Sequence, residues 1–359
     1  MLAILLATFV ANISDGNSLT LPAQRHLVNI GGTYLFAVQQ GGADGHGLGF
    51  YRSDDGGGSW GYYAPIQDDA SEHDTADLVA IGNDIALVWS YEGPQYAGSN
   101  VWYQRWRSTG GDWAPDSAVQ VFGGSYQRAE LAVDSQGRIW VQAFSTGGEA
   151  VIAVSTDDGG SFSQQPSLAW TSARGGGRLL SLGGRLMFLW GSHGCCDPGR
   201  MRLRDDSDPL DTWGDTSDVF GDGIYHGAAL SAVSDGNGGV HLAYKNLSER
   251  LYYRHFDGSS WSDPQLVEGN SDWALQPAIT RVGDGAVICY NHPINTNTEY
   301  QFWSRRVSGG SLSDATVLDE SGGFKGYPAS PEADSPLCGY GSTPDASTGG
   351  YLNLVYGAY

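Results

Sequence analysis

The sequence has 359 residues, of which 40% are hydrophobic, and this is enough apolar material for a large core. It carries 40 acidic and 19 basic side chains, so its formal net charge is −21. Binding to a nucleic-acid backbone is therefore excluded, because that contact needs a basic face. The 53 glycines show no collagen-like period and, with 12 tryptophans and 19 tyrosines, they indicate strands joined by tight turns.

The acidic surface has an unusual composition. Most of the acids are aspartates, and Lys245 and Lys325 are the two lysines of the whole sequence. An Asp-rich, Lys-poor surface resembles those of proteins from salt-loving organisms, because a screening length of about 3 Å at ~1 M salt makes self-repulsion tolerable. The alternative is an ordinary acidic secreted protein.

The N-terminal stretch MLAILLATFV is apolar but too short to span a bilayer, and it lacks the basic start of a secretory signal. We predict that residues 1–16 form an apolar segment, either a buried strand, an attachment stem or an oligomer contact made through residues 1–12. A degenerate signal or anchor is the alternative. The sequence predicts no membrane span.

A repeat begins near residue 30 and has a period of 49 to 52 residues. One mark is the last apolar residue before a turn, at Ile30, Ile81, Val133, Leu182, Val233 and Val282. A second mark is a large apolar residue that keeps the same phase, at Trp60, Trp113, Phe162, Trp213, Trp261 and Leu312. Two marks with one period indicate a repeat architecture.

Each period contains four short strand-like runs and almost no helical periodicity. In the fifth period the runs are ALSAV, GVHLAYK, RLYYRHF and DPQLV. Four strands every fifty residues are the pattern of β-propeller blades. We predict an all-β protein with one domain over residues 17–359, a seven-bladed propeller of four-stranded antiparallel sheets. A six-bladed ring with a C-terminal tail is the alternative.

The last repeat has three predicted strands, so a fourth must come from elsewhere. We assign that role to residues 17–23, NSLTLPA, so that strands from both chain ends close the ring. Closure of this kind would remove exposed sheet edges.

Two octets, SDDGGGSW at 53–60 and STDDGGSF at 155–162, lie between the third and fourth strands of their repeats. An Asp carboxylate accepts backbone N–H bonds within such a turn, glycine permits positive φ, and the aromatic residue packs between sheets. The defined positions are Ser53, Asp55, Gly57, Ser59 and Trp60, then Ser155, Asp157, Gly159, Ser161 and Phe162. The octets resemble the Asp box, or BNR repeat, of sialidase-like propellers, which marks the fold. A calcium loop is the alternative function, although the spacing departs from the EF-hand pattern.

Polar and aromatic residues gather at the opposite ends of the predicted strands. They occupy the loops leading into the innermost strands and the loops between second and third strands. We predict that they bind a ligand: Arg25, His73, Asp74, Arg128, Arg174, His193, Tyr225, His226, Trp273, Gln276 and His292. Aromatic rings pack on pyranose faces, while amides and guanidinium groups match hydroxyls and carboxylates, so this set suits a sugar. We predict no metal site, because adjacent Cys195 and Cys196 seldom share one zinc ion.

The sequence lacks the Arg-Ile-Pro tripeptide and an assignable Tyr–Glu pair, which sialidases of the family use. The stretch LYYRHFDGSSWSDPQLV is similar to BNR-type propellers among polysaccharide lyases that act on uronates. That resemblance implies an arginine, Arg128 or Arg174, on the uronate carboxylate. It would make His226 and Tyr225 the base and the acid.

Together these patterns favour a cofactor-free, non-catalytic glycan-binding protein used for attachment at a cell or virion surface of a halophile. The alternative is a secreted glycan-degrading enzyme, a polysaccharide lyase before a glycoside hydrolase. A propeller that serves as a protein-interaction platform is a third class.

Overall fold

The protein is all-β, and the computed structural model contains no helix among the residues that it describes. Those residues are 8–13, 24–39, 47–67, 74–92, 98–170, 176–191, 198–221, 223–224, 229–272, 275–295, 299–321, 323–329, 337–343 and 350–356. The predicted all-β class is confirmed, and four of the six sheets have the predicted four antiparallel strands.

Antiparallel sheets follow one another along the chain. After β1 (Thr8–Ile13), the first sheet contains β2 (Leu27–Ile30), β3 (Thr33–Gln39), β4 (Leu48–Ser53) and β5 (Gly61–Gln67). A nine-stranded sheet follows, with β6 (Asp74–Ile81), β7 (Asp84–Glu92), β8 (Gly98–Ser108), β9 (Trp113–Pro115), β10 (Val119–Val133), β11 (Ile139–Ser145), β12 (Glu149–Ser155), β13 (Ser163–Gln164) and β14 (Ala169–Trp170). This large sheet exists because the long strand β10 pairs with β8 through its first residues and with β11 through its last.

The remaining strands return to sets of four or five. The next two sheets contain β15 (Gly176–Ser181), β16 (Arg185–Gly191), β17 (Gly199–Asp205) and β18 (Ser217–Phe220), then β19 (Leu230–Ser234), β20 (Val240–Lys245), β21 (Leu251–Phe256) and β22 (Gln265–Glu268). The last two contain β23 (Pro277–Val282), β24 (Gly285–Asn295), β25 (Glu299–Ser308), β26 (Ser311–Leu312) and β27 (Thr316–Asp319), then β28 (Phe324–Ala329), β29 (Leu337–Thr343) and β30 (Gly350–Tyr356) with β1.

Burial explains why the inner strands lack a simple alternation of polar and apolar residues. All six residues of β20 are buried, because a sheet packed on both faces needs apolar side chains on both. The outermost strand β5 instead mixes exposed and half-buried residues along GYYAPIQ. The sheets therefore stand face to face, and their outer strands meet solvent.

The core consists of seven clusters of buried apolar side chains among the described residues, each between successive sets of strands. One cluster joins Leu35 and Phe50 of the first sheet to Leu87 and Trp106 of the next. Another lies between the last sheet and the first, because Val10 of β1 packs in one cluster with residues of β2 and β3. Consecutive sheets thus share one core each rather than a single central core.

The N-terminal strand differs from the sequence-based prediction. The strand that pairs with β30 is β1, with Thr8 opposite Leu354 and Ile13 opposite Gly350. The predicted strand at 17–23 lies outside the described residues, and β1 occupies the position assigned to it. The physical reason is hydrophobicity: Val10 and Ala11 are buried, which a run such as TFVANI supports better than NSLTLPA.

A disulfide joins Cys289 of β24 to Cys338 of β29, with a Cα–Cα distance of 6.3 Å. Both residues are fully buried. Their separation of 49 residues equals the sequence period, so they occupy the second strand of two consecutive sheets. The sequence alone had left the cysteine pairing open, and Cys195 and Cys196 lie outside the described residues.

In the part of the chain that the structure describes, no helix has the length and apolar character needed to cross a membrane.

Candidate functional site

The two ends of the strands form two different faces. The lower face carries the turns of the octets 53–60 and 155–162, between third and fourth strands. The upper face carries the segments that lead into the innermost strands, such as Arg25 before β2, and the ends of second strands, such as His292 near the end of β24.

On the lower face, the first octet forms a turn organised by one carboxylate. The Oδ1 atom of Asp55 accepts bonds from Ser53 Oγ and from the backbone N–H of Ser59, both at 2.8 Å, while Oδ2 accepts Ser59 Oγ at 2.6 Å. Gly57 has φ of 95° and donates its N–H to Ser53 Oγ. Trp60 donates its indole N–H to the Gly57 carbonyl and packs against Tyr34 and Phe36.

The second octet repeats this geometry. Asp157 accepts Ser155 Oγ at 2.7 Å, the Ser161 N–H at 2.9 Å and Ser161 Oγ at 2.7 Å. A Cβ atom added to Gly159, whose φ is 91°, would lie 2.3 Å from the ring of Tyr103, so no larger residue fits there without movement. The glycine therefore permits both the turn and close contact with the preceding repeat.

The same hydrogen bonds shift the acidity of both carboxyls. Bonds from the Ser59 hydroxyl and N–H and from the Ser53 hydroxyl hold the pKa of Asp55 at about 2. Bonds from the Ser161 and Ser155 hydroxyls and the Ser161 N–H do the same for the pKa of Asp157. Asp257 has a lowered pKa for the same reason, through bonds from the Ser260 and Ser259 N–H groups and the Ser259 hydroxyl. The three turns are thus structural elements, and none presents an unused carboxylate pair.

We expect Asp157→Asn to lower the unfolding temperature by a few degrees at neutral pH, because the turn loses its charged acceptor. The pKa of Asp157 is depressed when folded, so its stabilisation is present above pH 4 and is lost as the pH falls toward 2. Thermal unfolding followed by circular dichroism between pH 2 and 7 should show a shallower acid limb in the variant. Asp215→Asn, at an exposed carboxylate outside the octets, is the matched control; equal curves for the two variants would contradict the prediction.

An ion-pair network ties the second octet to the preceding hairpin. Arg105 lies between Asp158, at 2.8 Å, and Asp84, at 3.0 Å, and Arg107 bonds Asp158 at 2.8 Å and Asp116 at 2.9 Å. The carboxylates are mostly part-exposed, so each pair contributes little on its own. Their arrangement does reduce local repulsion between aspartates on the lower face.

Salt should nevertheless stabilise the protein. Screening weakens both the exposed ion pairs and the general repulsion, but 40 acids face 19 bases, so repulsion dominates. We expect the unfolding temperature to rise steadily between about 0.1 and 2 M KCl, where the screening length falls well below 10 Å. Differential scanning calorimetry across this range tests the point, and a flat or falling profile would contradict it.

The structure describes part of the predicted upper-face set. It describes the side chains of Arg25, Arg128, Gln276 and His292, and the backbone of Asp74 at the start of β6. The other predicted positions lie outside the described residues: His73, Arg174, His193, Tyr225, His226 and Trp273.

Arg25 is committed to a buried ion pair. Asp77 of β6 accepts bonds from Arg25 Nε at 3.0 Å, Nη2 at 2.6 Å and the Arg25 backbone N–H at 2.6 Å. Arg178 of β15 adds a bond at 3.2 Å, and Leu131 of β10 donates its N–H at 2.8 Å. Strands β6, β10 and β15 and the segment that leads into β2 therefore meet at one carboxylate, and Arg25 links these sheets.

The pKa of a second carboxyl in this cluster is shifted in the opposite direction. Glu130 of β10 accepts the Leu179 N–H at 3.1 Å and lies 3.6 Å from Arg178. Burial, assisted by the nearby charge of Asp77, raises the pKa of Glu130 to about 8 despite the attraction of Arg178. Burial also opposes ionisation of Asp77, but Arg25 and Arg178 outweigh it, so the pKa of Asp77 is lowered. Burial thus favours the protonated form of Glu130, whereas the two guanidinium groups favour the ionised form of Asp77.

Arg128 lies next to this cluster in an uncommon backbone conformation. It is buried with φ of 56°, a left-handed geometry that non-glycine residues seldom adopt. Gln142 donates to its carbonyl oxygen at 3.2 Å, and β10 shifts register between Gln127 and Glu130 at this point. The bulge interrupts the pairing of β10 with β11, which continues on both sides of it, and such bulges are common near functional sites.

His292 and Gln276 both lie at the upper ends of strands, His292 near the end of β24 and Gln276 just before β23. The Nδ1 atom of His292 lies 2.6 Å from Glu268 Oε2, and its ring stacks on Trp303 at 3.8 Å and 13°. The preceding residue, Asn291, accepts the Gln276 N–H through Oδ1 at 2.8 Å. His292 also contributes to lowering the pKa of Glu268, against the effect of burial.

Sequence reasoning missed Asp77, Glu130 and Glu268, which organise the described site. A usable signal existed for two of them, because Asp77 in DLVAI and Glu130 in AELAV are charged residues within apolar innermost strands. The cross-sheet contact of Glu268 with His292 had no signal in the spacing. Among the described residues, no group of three or more His, Cys, Asp or Glu side chains could hold a metal ion.

These sheets and their packing define a β-propeller-type fold. No protein-family model matches the sequence, and no curated protein matches it. The structure is similar to that of a PL25 ulvan lyase, a polysaccharide lyase, with a TM-score of 0.66 and 10% identity over 98% of this chain and 96% of that chain. The same values hold for that lyase bound to -[GlcA(1-4)Rha3S]-.

Two further structures are similar at lower scores. The AofleA protein from Arthrobotrys oligospora has a TM-score of 0.52 and 12% identity over 89% of this chain and 88% of that chain. The sialidase of Trypanosoma rangeli, in complex with the inhibitor DANA, has a TM-score of 0.53 and 13% identity over 85% of this chain and 56% of its own. At such identities, these similarities show the fold alone.

Proposed function

We propose that this chain is a carbohydrate-recognising seven-bladed β-propeller that binds a glycan on its upper face and does not cleave it. The observation that carries the proposal is the contact of His292 with Glu268 and Trp303, on the face where Gln276 precedes β23. A fixed imidazole and an indole, with the Gln276 amide on the same face, match the hydroxyls and apolar faces of a sugar.

The count of seven blades rests on packing. The nine-stranded sheet counts as two blades that share β10, and the sheet of β28, β29, β30 and β1 counts as one. Seven apolar clusters, each between successive sets of strands, match seven interfaces in a closed ring. The six-bladed alternative leaves the cluster around Val10 and Leu337 without a place.

The contacts of the described arginines reduce the number of residues that can bind a ligand. Arg25 is buried against Asp77, so it serves the ring rather than a ligand. Recognition then falls to Gln276 and His292, to Arg128 beside the bulge, and to the six predicted positions outside the described residues: His73, Arg174, His193, Tyr225, His226 and Trp273. Asp74 belongs to the same face through its place at the start of β6.

Location and partners follow from the same composition. We assign the protein to the extracellular space or a virion surface of a salt-loving system, where a buried disulfide between Cys289 and Cys338 is stable. Residues 1–12 remain the proposed contact with a larger assembly, although β1 already takes Thr8–Ile13 into a sheet.

A glycan array read in 2 M KCl with the full chain tests the proposal. We expect binding to at least one glycan, and His292→Ala and Gln276→Ala should each weaken it about tenfold, as loss of one well-placed contact does. His255→Ala, on the lower face, is the matched control and should leave binding unchanged. No glycan bound, or equal losses for all three variants, would contradict the proposal.

A uronate polysaccharide lyase is the second candidate. It is favoured by similarity over nearly the full length to a lyase crystallised with a glucuronate-containing ligand. Arg128 or Arg174 would neutralise the uronate carboxylate, and His226 and Tyr225 would act as base and acid. Release of unsaturated uronate from an acidic polysaccharide in molar salt, abolished by His226→Ala, would establish this candidate over simple binding.

A further inference from the structure

The lower face has a recess beside the first octet that the proposed function does not use. Its volume is about 450 Å³, within the range typical of small-ligand sites. It is lined by Arg52, Asp54, Asp55, Ser59, Trp60, Gly61, Tyr62 and Tyr63. Aromatic rings and charged groups therefore border one concave surface.

Tyr62 is the unusual member of this set. Its side chain is 50% exposed, and its ring meets Tyr51 edge-on at 5.7 Å. The adjacent Tyr63 has a structural role, because its hydroxyl bonds the N–H and the carbonyl of Trp113 in the next repeat. Tyr62 instead leaves half of its surface in contact with solvent.

The other repeats show that the fold does not require an aromatic residue here. Tyr62 and Tyr63 are the second and third residues after the marker Trp60. The equivalent pairs are Pro115-Asp116, Gln164-Gln165, Asp215-Thr216, Asp263-Pro264 and Asp314-Ala315. Five equivalent hairpins form with small or polar residues, so the exposed ring of the first repeat needs another explanation.

Polar groups at the rim supply hydrogen-bond acceptors. The Oδ1 atom of Asp54 accepts Arg52 Nε at 2.8 Å and Thr33 Oγ1 at 3.0 Å, while its side chain stays 60% exposed. Arg52 also binds Asp112 at 2.6 Å and is held over the rings of Tyr63 and Trp113. With one guanidinium against Asp54, Asp55 and Asp112, the rim is net negative and would repel an anionic sugar.

We propose that this recess is a second carbohydrate site, which takes a neutral pyranose. The Tyr62 ring packs on the apolar C–H face of the sugar, and Asp54 accepts hydrogen bonds from its hydroxyls. The site lies on the lower face, so it does not depend on glycan binding at the upper face.

Saturation-transfer NMR on the full chain tests this site, with the methyl glycosides of glucose, galactose and mannose as neutral probes and glucuronic acid as the charged one. At least one neutral glycoside should receive saturation from the protein. Glucuronic acid should bind at least about tenfold more weakly. Tyr62→Ala should lower the affinity for the neutral glycoside about tenfold. Tyr62→Phe keeps the ring and should keep the affinity.

The matched control is Leu266→Ala, at a side chain exposed to 48% on another sheet, and it should leave binding unchanged. Absence of binding by every neutral probe would overturn the site. Equal affinity in Tyr62→Ala and the wild type would also overturn it. Loss of the signal in His292→Ala, but not in Tyr62→Ala, would assign the sugar to the upper face instead.

Discussion

Replacing Cys338 with serine is expected to lower the free energy of unfolding by about 4 kcal/mol. The disulfide with Cys289 closes a loop of 49 residues, and the loss of loop-closure entropy from the unfolded chain scales with that length. The effect should be large because the bond joins the sheet of β28, β29, β30 and β1 to its neighbour, and that sheet is assembled from both ends of the chain. Urea unfolding at fixed salt measures the difference.

Reduction supplies the control for this prediction. Dithiothreitol should bring the unfolding midpoint of the wild type down to that of Cys338→Ser and should leave the variant unchanged. The double variant Cys289→Ala, Cys338→Ala tests whether a buried hydroxyl adds to the loss. Equal midpoints for wild type and variant without reductant would contradict a structural role for the bond.

The second large effect is expected at Asp77. Asp77→Asn should destabilise the protein by about 3–5 kcal/mol, because it leaves the buried guanidinium groups of Arg25 and Arg178 without their shared counter-charge. Three innermost strands and the segment that leads into β2 converge on this carboxylate, so unfolding should remain cooperative but shift to a lower midpoint. Calorimetry and urea titration at pH 7 both measure the change.

Glu130→Gln is the matched control within the same cluster. Burial raises the pKa of Glu130 to about 8, which favours the protonated carboxyl at pH 7, and a glutamine amide resembles that neutral form. The native state holds this proton while the unfolded state releases it, so wild-type stability falls as the pH rises from about 4.5 to 8. The variant should lack that component of the slope. A Glu130→Gln loss as large as that of Asp77→Asn would contradict this charge assignment.

Much of the fold could be predicted from the sequence, because a propeller blade is a local unit. The turns of Asp55 and Asp157 are built from residues within one octet, so their hydrogen bonds follow from spacing. The order of β19 to β22 in the fifth repeat was likewise predicted from runs of apolar residues and turns. The partner of β30 was assigned to the wrong segment, because pairing between the chain ends depends on tertiary packing rather than on any local pattern.

The candidate site was less predictable for a related reason. Residue type and loop position placed His292 and Gln276 on one face, but not the Glu268 and Trp303 contacts that orient the imidazole. For Arg25 the sequence predicted a ligand contact that the structure does not support. Its guanidinium bonds Asp77, which is 52 residues away in sequence. Contacts across sheets decide which polar groups remain for a ligand, and a single sequence does not encode those distances.

The most direct test of glycan recognition is a crystal structure of the full chain soaked with a glycan selected on the array. We expect sugar density on the upper face, in contact with His292 or Gln276. Crystals that show a saccharide bound elsewhere, with the upper face occupied by solvent at saturating ligand, would contradict it.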